Sequence, residues 1–74
     1  MSKYFFNVVL NGQPTVDGKG QHFADDSVAR AHACHLVMLL ADRCQDPINS
    51  FVAVSRLDGR LAFKVPFRET GPQV

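Results

Sequence analysis

The chain lacks charge of one sign. Eight Lys and Arg stand against seven Asp and Glu, a net charge of +1. No strong field surrounds it, so charge gives no argument for a nucleic-acid or polyanion partner. It lacks a membrane-length apolar run, since nothing approaches the roughly 20 residues a spanning helix needs. Its start, Met1-Ser2-Lys3-Tyr4, lacks the charged-then-apolar layout of a secretion signal. It has two cysteines, Cys34 and Cys44. On one helix they would stand roughly 15 Å apart, too far for a disulfide. Two small buried thiols in a reducing compartment are expected, and a cytoplasmic location with them. There is no internal repeat, no low-complexity segment and no phosphate-loop spacing around Gly18-Lys19-Gly20.

What is present reads as one domain. Seventy-four residues bury only about 60% of their unfolded surface, so stability is expected to be marginal. The apolar fraction, 46%, is that of an ordinary globular protein. Residues 1–67 are expected to form the domain and residues 68–74, which include Gly71-Pro72, a flexible tail.

The organising segment is residues 25–45. Ala29, Ala33, Leu36, Val37, Leu40 and Cys44 recur at the spacing of one helix face. Asp25 is placed to cap the first turn, Asp26 suits the positive end of the helix dipole, and Pro47 cannot continue the helix. The opposite face carries His32, His35, Asp42 and Arg43. Val28, Cys34, Met38 and Leu39 make the helix more apolar than one core stripe requires.

Strands are expected on either side. Over residues 4–10, Tyr4, Phe6, Val8 and Leu10 alternate with Phe5, Asn7 and Val9. Asn11-Gly12 and Asp17-Gly18 are turn signals. Between and after them, short strands at Thr15-Val16 and over residues 21–24 compete with a mobile loop. Residues 50–56 and 61–67 read as a hairpin about Asp58-Gly59, a pair suited to a two-residue type I′ turn. That turn sets Arg56 opposite Leu61, Val54 opposite Phe63 and Val52 opposite Val65, with all of Val52, Val54, Leu61, Phe63 and Val65 on one face. The expected fold class is α+β: one amphipathic helix on a three- to four-stranded antiparallel sheet, in the order β-β-α-β-β.

The short motifs together carry a resemblance. Tyr4-Phe5-Phe6-Asn7-Val8 opens the chain, a Gly- and Asp-rich turn with Asp17-Gly18 follows, then an acidic cap with an Ala-rich helix start, and Phe63-Lys64-Val65-Pro66-Phe67 closes it. This resembles a family of very small bacterial proteins classed as a domain of unknown function. The family pattern runs Tyr-Phe-Phe-His-Val, Asp-x-x-Gly, an Ala-rich helix and a terminal Val-Pro-Phe; Asn7 stands where it has His. The resemblance implies a strand–helix–strand architecture and no established activity, so no catalytic residue follows from it.

Nothing in the sequence assembles a reaction site. His32 and His35 are i, i+3, with His22 or Asp42 as a third metal ligand, but zinc needs three or four convergent ligands, and two solvated helix histidines are the simpler reading. Cys34 and His35 point about 100° apart, poor geometry for nucleophile activation. Asp25 and Asp26 read as a helix cap rather than a catalytic pair. No catalytic residue, metal or cofactor is expected.

The informative feature is the sheet face a single helix leaves uncovered. Phe5, Val9, Phe51, Ala53, Ala62, Lys64 and Pro66 are expected there, an apolar patch of the kind another chain covers. The leading expectation is a non-enzymatic interaction module that self-associates through this face. The second is a small regulator or inhibitor that occludes a larger protein or nucleoprotein complex, as antitoxins and phage-encoded inhibitors do. The third is a weak metal or nucleic-acid binder, with Phe5 and Phe51 beside Lys3, Lys64 and Arg68 as its candidate residues.

Overall fold

The computed structural model describes residues 1–67; the tail expected at residues 68–74, with Arg68, lies outside them. Strand β1, Ser2–Leu10, is the hub of the sheet. Along one edge it pairs antiparallel with β4, Phe51–Arg56, from Tyr4↔Arg56 to Val9↔Phe51. Its other edge is shared by two short strands. Strand β2, Gln13–Thr15, takes Val8 to Leu10, and β3, Gln21–Phe23, takes Ser2 to Tyr4. Strand β5, Leu61–Pro66, pairs antiparallel with β4 at the far side. The fold is α+β, as expected. Five strands, however, fill four lanes, and their chain order is β-β-β-α-β-β rather than β-β-α-β-β.

The glycine-rich stretch after β1 is held to the sheet because its polar groups replace a missing strand. Between β2 and β3 the Phe6 N–H faces no strand, and it donates to the Asp17 carboxylate at 3.0 Å. The other Asp17 oxygen accepts the N–H groups of Lys19 and Gly20. The Asp17 N–H in turn donates to Asn7 Oδ1 at 2.9 Å. Buried or half-buried backbone groups need partners, and one aspartate supplies three.

Helix α1, Asp26–Leu40, opens as expected on Asp25, which accepts the Val28 N–H at 3.1 Å. It stops short of residue 45. A 3₁₀ turn follows at Ala41–Arg43, and the backbone beyond is taken over by Asn11. The Asn11 amide accepts from the N–H groups of Gln45 and Asp46 and donates to the Arg43 carbonyl. A second 3₁₀ turn, Pro47–Asn49, leads to buried Ser50, whose hydroxyl accepts from the Asn11 N–H and donates to the Asp46 carbonyl.

The core is Tyr4, Phe6, Ala29, Ala33, Val52, Val54 and Val65, with Leu36, Val37 and Phe63 among the residues packed on it. The helix meets the sheet through two fully buried alanines. Their small side chains let the backbones approach, so the bulk of the core comes from the strands. Leu40 and Cys44, expected on the core stripe, are half-buried outside this cluster, because the helix ends at Leu40. Cys34 is exposed rather than buried; both cysteines are free.

The β4–β5 hairpin departs from expectation near its turn. The Gly59 N–H donates to the Arg56 carbonyl and the Arg56 N–H to the Arg60 carbonyl, with Gly59 at φ +89. The loop therefore has three residues, Leu57-Asp58-Gly59, and not two. A bulge between Val54 and Ser55 then restores the expected Val54↔Phe63 and Val52↔Val65 pairs. Leu61 pairs with Ser55 instead of Arg56, and it is 58% exposed rather than part of the core face. The turn with positive φ at both central residues is Asn11-Gly12, at φ 55 and 80.

Candidate interaction surface

Cross-strand partners share a face, so the register lays out the side of the sheet opposite α1 in rows. The first row crosses all four lanes: Pro14, Val9, Phe51, Pro66. The second is Asn7, Ala53, Lys64, and the third Phe5, Ser55, Leu61. The fourth is Lys3 with His22. The structure thus brings Phe5, Val9, Phe51, Ala53 and Lys64 together as the sequence suggested. Ala62 does not belong to a row. It lies at the bulge with no register partner, and Leu61 occupies the face beside Ser55 in its place.

Phe5, Val9, Phe51 and Ala53 are each half-buried, and Lys64 is exposed. The two phenylalanines are topped by lysines of the same face. Lys64 Nζ stands 4.7 Å from the centre of the Phe51 ring, and Lys3 Nζ 5.6 Å from that of Phe5. Asn7, where the family pattern has His, donates through Nδ2 to Ser55 Oγ at 3.2 Å and accepts from Asp17, so both ends of its amide are engaged within the fold.

A polar cluster at one end of the sheet went unread in the sequence. Asp26 accepts the Tyr4 hydroxyl proton at 2.6 Å and two guanidinium N–H groups of Arg56 at 3.0 and 2.7 Å. Hydrogen bonds from Arg56 and then Tyr4 hold its carboxyl below the usual aspartate range, while the same carboxylate raises the Tyr4 phenol. The cluster ties β1, α1 and β4 together. Only the β1–β4 register, which alternation within single strands does not give, would have revealed it. For Asp17, burial raises the carboxyl, and the N–H groups of Gly20, Phe6 and Lys19 together outweigh it, leaving a net lowering.

The other candidates separate. His32 is half-buried rather than fully solvated: its ring packs edge-on to Phe6 at 4.8 Å and tilted on Phe23 at 5.2 Å. His35 is exposed. Among the described residues no three His, Cys, Asp or Glu side chains converge, and no helix is long and apolar enough to cross a membrane. Cys34 opens on a groove of about 370 Å³ whose lining among the described residues, Val37, Met38, Ala41, Val65, Pro66 and Phe67, includes no base.

The chain belongs to the family described as Domain of unknown function (DUF6894), whose model matches residues 3–68. No curated protein and no solved structure matches it.

Proposed function

We propose that the chain is a non-enzymatic interaction module that docks another polypeptide on the open face of its sheet. The observation that carries this is the apolar row Pro14–Val9–Phe51–Pro66, which crosses every lane on the side away from α1. Val9 and Phe51 are half-buried and Pro14 and Pro66 exposed, and apolar surface gains by leaving water, at about 25 cal/mol per Å². Two occupants suit such a face. One is a second copy of the chain, giving a homo-oligomer. The other is a larger protein or complex that the small domain occludes.

The free edge of β5 is a poorer route to self-association. The Phe67 N–H donates inward to the Ser50 carbonyl, so alternation turns the backbone groups of Lys64 and Pro66 outward. Pro66 has no donor, and a bulge and a lysine stand at the same edge, the features that blunt strand addition. The end motifs and the two free cysteines further support reading the chain as a bacterial, cytoplasmic protein.

The test is a Phe5→Ser/Phe51→Ser variant, followed by light scattering, by capture of bound protein and by thermal melting. The expected result is lost assembly or capture with the fold retained. A variant that unfolds while its assembly below the midpoint matches the parent's would return both rings to the core and end this reading.

A further inference from the structure

We infer that the occupant of the open face is a polypeptide presenting carboxylates among apolar side chains, and not a second copy of this chain. This rests on the reading of that face as a docking surface.

Each large aromatic side chain on the face lies under an ammonium group, Phe51 under Lys64 and Phe5 under Lys3. A partner that covers a ring therefore covers its lysine as well. No carboxylate stands in any of the four rows among the described residues. The acids beside them are engaged. Asp17 accepts three backbone N–H groups, and Asp58 accepts the Arg60 N–H with the Arg60 guanidinium 3.9 Å away. Two copies laid face to face would bring together two pairs of lysines and, among the described residues, no acid in any row. Desolvating an unpaired ammonium is unfavourable, whereas a carboxylate opposite it offsets that loss and fixes the register of docking. Phosphates would also pair with the lysines. The rest of the face is apolar apart from Asn7, Ser55 and His22 and has no arginine, and two lysines are too few for the run of phosphate contacts that holds a nucleic acid.

The test is an NMR titration of the isotope-labelled protein with a short synthetic peptide alternating glutamate and leucine. Parallel titrations use the same peptide with glutamine or lysine for glutamate, and oligothymidylate. The glutamate peptide is expected to move the amide signals of Val9, Ala53 and Lys64 while those of α1 stay in place. A Lys3→Glu/Lys64→Glu variant, whose fold is checked by circular dichroism, should bind that peptide about tenfold more weakly and take up the lysine peptide instead. The inference is overturned if the glutamate peptide leaves these signals in place, or if oligothymidylate or the lysine peptide binds the parent as tightly. Equal binding of the glutamine peptide at the same signals would overturn the acidic partner and leave the docking face standing. So would movement of those signals with protein concentration alone, at twice the chain mass. If no probe moves them and the Phe5→Ser/Phe51→Ser variant changes neither assembly nor capture, both readings fall together.

Discussion

At the scale of single residues, Asn11 carries more of the fold than a turn position requires. Its backbone is left-handed, at φ 55, a region asparagine tolerates better than most residues. Its side chain meanwhile holds the Arg43 carbonyl and the N–H groups of Gln45 and Asp46. Asn11→Gly keeps the backbone conformation and drops those bonds, so it should lower stability to urea by about 1–2 kcal/mol. Asn11→Ala should cost more, because it adds the left-handed strain. A glycine variant as stable as the parent would show that the bonds contribute nothing. Gly20 presents a steric case. At φ +74, a Cβ there would meet Lys3 Cε at 2.9 Å and both a Phe5 ring carbon and the Tyr4 carbonyl oxygen at 3.0 Å, whereas at Gly59 it would meet open space. Gly59→Ala should cost about 1 kcal/mol, from backbone strain alone; Gly20→Ala should cost distinctly more in the same urea series. The sequence marks Asn11 and Gly59 as turn positions. It does not show that Asn11 reaches across more than thirty residues, because that bond belongs to the assembled fold.

At the scale of elements, local chemistry was legible where it stayed local. Asp25 caps α1 as read, and the alternation of β1 gives its two faces correctly. The end of the helix was not legible, since Asn11 sets it from another element. Nor was the hairpin loop, because Asp-Gly serves a three-residue loop as well as a two-residue one, and only the bulge at Ala62 reconciles the longer loop with the pairing of Val52 and Val54. The Asp26 cluster gives the elements a pH signature. Asp26 is held below its ordinary value of 3.8 by Arg56 and Tyr4. Its contribution is therefore present above that value and is lost as pH falls through the lower, folded one. Tyr4 is raised above 10.0, chiefly by its bond to Asp26. Its contribution is full below 10.0 and is lost as pH rises through the higher, folded value. The melting temperature should be flat through neutral pH and fall at both extremes. Asp26→Asn should shrink the alkaline fall in particular, because it removes the anion that opposes ionisation of Tyr4. Melting curves across pH that keep the full alkaline fall in this variant would uncouple the two groups.

At the scale of the whole molecule, fold class and the two-sidedness of the sheet could be read from periodicity, but strand neighbours could not. Alternation says which residues share a face of one strand; it does not say that Phe6 lies beside Val54. That pairing decides how the molecule unfolds. Strands β1 and β4 are adjacent at the centre of the sheet, yet they come from opposite sides of α1 in the chain. The β4–β5 hairpin alone would be a two-stranded unit of marginal stability, and β1 with its two short partners would leave α1 without its packing on β4 and β5. Neither part should stand without the other, so urea unfolding should be one transition, coincident by circular dichroism and tyrosine fluorescence. Amide exchange should be slowest along β1 and β4. Val54→Ala, at a fully buried position in that central pair, should lower stability by about 2 kcal/mol or more and shift both probes together. Leu40→Ala, outside the core cluster, should cost clearly less. Two separated transitions, or a Leu40→Ala cost matching that of Val54→Ala, would place the cooperative centre somewhere other than the β1–β4 pair.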